Sequence, residues 1–220
     1  MQERRRSQSS QVLDPVKEKI QVPAEYWEEI EKRDMAALCE DGLAEAYSPQ
    51  DVVLSVLGRQ ILVDRKNHSL RRKDKGEWEP VTNPLLELLI LVYLLHVGPQ
   101  LLSHELISLH ELKTAHFFQG PHELNVGGLL ERFGRDLNGF RKAAESLGGE
   151  KQNLADAAYR IPSFPKIPLY YLLWQGDEEF DARLSVLFDR TVERILSADA
   201  IWGLVNLVTD ALLRAPEPPF

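Results

Sequence analysis

The chain reads as an α+β protein, a small antiparallel sheet with helices packed on it in a single domain. Three observations lead there. Residues 167–174 are apolar on both alternating faces, Leu169, Tyr171 and Leu173 on one and Tyr170, Leu172 and Trp174 on the other, as in a strand covered on both sides. After a short acidic interval, Leu184, Val186 and Phe188 alternate with Arg183, Ser185 and Leu187, which predicts an antiparallel partner strand with one side mostly covered. Around this ribbon, apolar residues recur at three and four, as in Leu137, Phe140, Ala144 and Leu147, the spacing of helices that bury one face.

In chain order, residues 1–11 are polar and read as a disordered tail, residues 12–214 as the domain, and residues 215–220, ending APEPPF, as a second tail. Pro23 opens a helix with Trp27, Ile30, Met35 and Leu38 at near-helical spacing, stopped by Gly42. Residues 44–47, 52–57 and 60–64 read as short strands of a meander. The basic run RKNHSLRRKDK, residues 65–75, reads as a solvated hairpin or loop, or as a patch that docks phosphate or an acidic partner. Asn83 and Pro84 suit the cap and first position of a helix over 85–96, apolar all round and so expected in the middle of the fold. Residues 105–109 are expected to be extended. A helix with Leu124, Leu129, Leu130 and Phe133 then precedes the one closed by Gly148-Gly149, and the two should cover one face of the sheet. Pro162, Pro165 and Pro168 read as a rigid lead into the central strand or as a polyproline-type ligand. Residues 191–196 make a short helix or turn, and Ser197 can cap a last helix presenting Ile201, Leu204, Val205, Val208 and Leu212.

With 220 residues and 44% hydrophobic composition, the chain has enough material for a full core. Its net charge of −8 repels phosphate backbones and anionic lipid, so neither nucleic acid nor membrane is an expected partner. The longest apolar run, 85–97, is interrupted by Glu87 and His96 and falls short of the roughly 20 residues a spanning helix needs. Arg4-Arg5-Arg6 is followed by no apolar stretch of the kind a secretory signal carries. A single cysteine, Cys39, excludes an internal disulfide and holds neither cluster nor zinc by itself, so no cofactor is expected and a cytoplasmic location fits.

The densest oxygen-ligand cluster is the loop Asp177, Glu178, Glu179 and Asp181, joined by Asp189 if the flanking strands bring it near. Hard cations take such carboxylates, but the spacing is not that of an EF-hand, so the loop is either a solvated turn or a site for a cation or a cationic partner. His96, His104, His110, His116 and His122 crowd one segment, and His110-Glu111 is one of three His-Glu pairs. None forms H-E-x-x-H; separate structural histidines and a metal or acid–base site both remain open. No G-x-S-x-G elbow, P-loop or G-x-G-x-x-G is present.

Leu57-Gly58-Arg59 with Ile61-Leu62-Val63, residues 107–112, and above all Trp174-Gln175-Gly176-Asp177-Glu178-Glu179-Phe180 with Leu187-Phe188-Asp189 resemble an uncharacterised prokaryotic domain family with a W-x-G-D-E-E-F signature. The resemblance covers about residues 36–196. Some members carry a four-cysteine motif and a label as iron–sulfur proteins, which implies a role beside iron–sulfur or corrinoid metabolism; this chain, with Cys39 alone, lacks that motif. The expected function is an accessory or interaction protein with a protein partner or as a homodimer, and Trp174, Asp177, Glu178, Glu179, Asp189, His110 and Glu111 are its candidate ligand or partner residues. The alternative is a small metal- or ligand-binding enzyme using residues 177–181, helped by His110 or His116.

Overall fold

The apolar spacing that predicts one helix from Pro23 to Gly42 folds as two. α1 (Ala24–Lys32) ends at Arg33, whose ψ of 139° is extended, and α2 (Met35–Gly42) restarts because Asp34 accepts a hydrogen bond from the Ala37 N–H. The structure, a computed structural model, describes residues 20–217 and 219–220, so the expectation for residues 1–11 lies outside it.

The predicted meander is longer than expected. β1 (Glu45–Ala46), β2 (Asp51–Val56), β3 (Arg59–Asp64), β4 (Ser69–Asp74) and β5 (Glu77–Val81) form one antiparallel sheet in that order. The basic run supplies β4 and the turn before it. β5 escaped notice because Pro80 interrupts its pattern, which an edge strand tolerates. Val52, Leu54, Val56, Ile61, Val63 and Leu70 point into the main core.

α3 (Pro84–His96) begins as the sequence predicts: the Asn83 side chain accepts from the Leu86 N–H and Pro84 takes the first turn. Its residues from Leu89 to Leu94 are all buried, with α1, α2 and the last helix, Ala198–Arg214, against it. β6 (Leu106–Ser108) is the extended piece expected near residue 107, followed by 3-10 turns. α4 (Gly127–Phe133) starts later than Leu124 suggests, and α5 (Leu137–Ser146) is capped by Asp136 through the Gly139 N–H.

β7 (Glu150–Gln152), β8 (Ala157–Phe164), β9 (Ile167–Trp174) and β10 (Arg183–Asp189) complete a second antiparallel sheet, ordered β6-β10-β9-β8-β7. The expected β9–β10 ribbon is there, in register from Arg183 opposite Trp174 to Phe188 opposite Leu169. The proline-rich lead into β9 is itself a strand. Pro162 and Pro168 face each other across the β8–β9 ladder beside a register shift, where a missing N–H costs least.

α4 packs on β10 and α5 on β8, so the two helices cover one face as expected, and α6 (Ala198–Arg214) fills the middle of that layer. The β9 residues Leu169, Tyr171 and Leu173 belong to this core, the Tyr171 hydroxyl donating to the Val205 carbonyl of α6 at 3.2 Å. Tyr170 and Leu172 form a separate small cluster with Ala158 on the other face, with Trp174 half-buried at its margin. Ile201, Leu204, Val205, Val208 and Leu212 of α6 are all buried within the chain, so this stripe is not a free dimer seam. The ending expected as a tail is tied back: Arg72 donates to the Phe220 carbonyl at 2.6 Å, and the Phe220 ring packs against the core.

The two sheets meet at the β2–β3 turn. The Leu57 N–H donates to the Pro162 carbonyl at 3.1 Å, and Gly58, at φ +70°, passes so close to the end of α5 that a Cβ would lie 3.1 Å from the Leu147 carbonyl. A Cβ at Gly148, at φ +75°, would in turn lie 3.3 Å from the Gly58 Cα.

Candidate functional site

The loop between β9 and β10 is fastened at its start and open at its tip. The Gln175 N–H donates to Asp156 at 3.0 Å, its side-chain amide to the Arg135 carbonyl at 3.3 Å, and the Gly176 N–H to the Gly134 carbonyl at 3.0 Å. These bonds tie it to the corner between α4 and α5 and to the turn that leads into β8. Asp177 then builds the bend: one carboxylate oxygen accepts from the Glu179 and Phe180 N–H groups, both at 2.8 Å, and its own N–H donates to the Phe180 carbonyl at 2.9 Å. The Phe180 N–H, then that of Glu179, hold the Asp177 carboxyl below its ordinary pKa, keeping it charged.

Beyond Asp177 the loop commits little. Glu178, Glu179 and Asp181 are exposed, and their carboxylates make no hydrogen bond or ion pair with a described residue. Between them Phe180 is 70% exposed. Trp174, at the end of β9, carries the Arg183 guanidinium 5.5 Å from its ring centroid, so this cation beside the loop is held over an aromatic face.

Depressions lie on both sides. One of about 520 Å³ is lined by Arg132, Arg135, Asp136, Gly176, Phe180 and Asp181; another of about 690 Å³, wide and shallow, by Leu137, Arg141, Asp156, Gln175, Gly176 and Asp177. Two of their arginines are already engaged: Arg132 of α4 donates to the Ala215 carbonyl at the end of α6, and Arg141 of α5 to Asn138 and to the Asp156 carbonyl ahead of β8. Sequence reading missed these arginines, because α4 and α5 come to the loop from some 40 positions upstream and nothing local marks the meeting.

Asp189 does not join the loop. The register that places Arg183 beside Trp174 places Asp189 opposite Leu106, six residues up the strand, about 20 Å away at 3.3 Å per residue. It is 2% exposed and accepts five hydrogen bonds: from the N–H and hydroxyl of Ser103, the N–H of His104, and the N–H and hydroxyl of Thr191. Burial alone would raise its pKa, but the Thr191 and Ser103 donors outweigh it and the carboxyl is held low. Asp189 is a structural cap.

His110 and Glu111 lie on the 3-10 turn after β6, and β6 meets β10 at Leu187, away from the loop end. Glu111 accepts from the N–H and hydroxyl of Ser108, both at 2.8 Å, and the Ser108 N–H is the main reason its pKa is lowered. His110 and His116 are exposed, and neither lines the depressions beside the loop. His96 bonds the Val92 carbonyl, while His122 packs 4.4 Å from the Phe117 ring and edge-on to Trp202. No described histidine lines either depression beside the loop. Among the described residues, no group of three or more His, Cys, Asp or Glu side chains is placed to hold a metal ion.

Residues 34–211 match the family described as Domain of unknown function (DUF3786). The chain belongs to this family. The DUF3786 match runs from the cap of α2 into the last turns of α6, so both sheets, the acidic loop and Asp189 lie inside it. No curated protein and no solved structure matches the chain. No helix of the described residues is long and apolar enough to cross a membrane.

Proposed function

We propose that this DUF3786 protein is a cytoplasmic accessory or interaction protein that presents the β9–β10 loop to a cationic protein partner. The observation carrying this reading is the loop tip, where Phe180 stands 70% exposed among carboxylates that have no partner among the described residues. Gln175, Gly176 and Asp177 fix the backbone beneath it, so little ordering entropy is lost on docking. An aromatic anchor ringed by charge suits an apolar pocket with lysines or arginines at its rim.

The family resemblance points to iron–sulfur or corrinoid metabolism as the setting for such a partner. In that setting the chain would assist a cluster protein rather than hold a cluster on Cys39 alone. The reading as a metal- or ligand-binding enzyme on residues 177–181 has no observation of equal weight behind it.

Immobilised protein and an F180A/E178Q/E179Q variant, each incubated with native lysate, test the proposal. The expected result is a protein retained by the unaltered chain, released by raised salt and absent from the variant. Identical retention by both would overturn it, as would a complex whose affinity ignores salt.

A further inference from the structure

A cavity of about 360 Å³ opens between the C-terminal end of α1, the β1–β2 turn and the β3–β4 turn, lined by Glu31, Pro49, Gln50, Arg65 and Lys66. Its volume lies within the range of small-molecule sites. It is built on the basic run, which the β9–β10 loop does not use.

Arg65 is the informative side chain. It is only 6% exposed, a rare state for a cation, and no ion pair joins it to a described carboxylate. Its Nη2 donates to the Glu31 and Arg33 carbonyls at 2.5 and 2.8 Å, Nη1 finds only the Met35 sulfur at 3.9 Å, and Nε has no acceptor. The carbonyl end of α1 supplies about half an elementary charge at most, so positive charge remains uncompensated next to the cavity. Lys66 and Gln50, both exposed, make no side-chain hydrogen bond with a described residue. Glu31, the one acid on the wall, is turned to His68, 3.3 Å away, whose ring stacks on Trp27 at 5.3 Å.

We propose that this cavity binds the carboxylate or phosphate group of a small metabolite, with Arg65 as the buried counter-charge and Lys66 and Gln50 as donors at the rim. Both groups carry the negative charge that Arg65 calls for: with its Nη2 taken by two carbonyls and its Nε closed off, Arg65 acts through charge, and Lys66 and Gln50 supply the hydrogen bonds. The site is separate from the loop and stands or falls independently of it.

The test titrates the full-length protein with inorganic phosphate and, separately, with succinate, against chloride at equal ionic strength. Calorimetry and the thermal midpoint are the readouts. Saturable binding of either anion, with a rise in midpoint, is expected, and the anion that saturates identifies the ligand group. K66Q and Q50A change exposed side chains without touching the cap on α1, and K66Q should bind about tenfold more weakly, as loss of one charge-assisted hydrogen bond predicts. Responses no larger than with chloride would overturn the proposal, as would unaltered affinity in both variants.

Discussion

β10 carries carboxylates at each of its ends, and they behave as opposites. At one end Asp189 sits in the interior with five donors around it; at the other, Glu178, Glu179 and Asp181 face water with none among the described residues. The residue type is the same and the sequence distance is small, so the difference lies in what the fold brings to each. The 103–104 backbone and the turn after β10 close around Asp189, whereas among the described residues only the bend's own N–H groups reach Asp177 and none reaches its acidic neighbours. An acid surrounded by donors is spent on architecture. Acids without donors are the ones a partner can use.

The sharpest way to break this contrast is D189N. An amide in place of the carboxylate turns two donors toward a ring of donors, and urea denaturation at pH 7 should show a loss of about 3 kcal/mol. The folded pKa of Asp189 is depressed, so its contribution is present above the unfolded value near 4 and is lost as pH falls through the folded value. Stability measured from pH 7 down to pH 2 should therefore converge for D189N and the unaltered chain; curves that stay parallel would show that the donors do not act through charge.

Next comes W174A. A fully buried tryptophan would cost about 3–5 kcal/mol, but Trp174 is half-buried at the margin of the outer cluster, and about 2 kcal/mol is expected. D177A removes two hydrogen bonds from an exposed bend and should lower stability less than W174A does, while making residues 175–182 easier to cleave in limited proteolysis. The smallest effect belongs to E178Q/E179Q, within about 0.5 kcal/mol of the unaltered chain in the same denaturation experiment. A larger loss there would mean that the tip is structural after all.

The parts of this fold that sequence displays are those whose pattern is local. The two-sided apolar run of β9, the alternation of β10 and the Asn83-Pro84 start of α3 each lie within a few residues and match the structure closely. β8 and β5 were hidden by Pro162 and Pro80, whose lost N–H groups are tolerated at a bulge and at an edge, circumstances that only pairing reveals. The break between α1 and α2 did have a local sign in Asp34, outweighed by the continuous apolar spacing. For the candidate site, the loop itself was legible as a carboxylate cluster, but its separation from Asp189 depended on reading the ribbon's register to its end. The buried state of Arg65 had no sign at all, since a basic run looks the same whether or not one member turns inward.

The contact of Gly58 with Gly148 leaves the molecule no room to treat its halves as separate modules. With the backbone of one sheet's turn lying against the end of α5, and the Leu57 N–H bonded into β8, loosening either sheet strips support from the other. Calorimetry should record one heat-absorption peak, and a side chain as small as alanine at Gly58 should lower its temperature without splitting it in two.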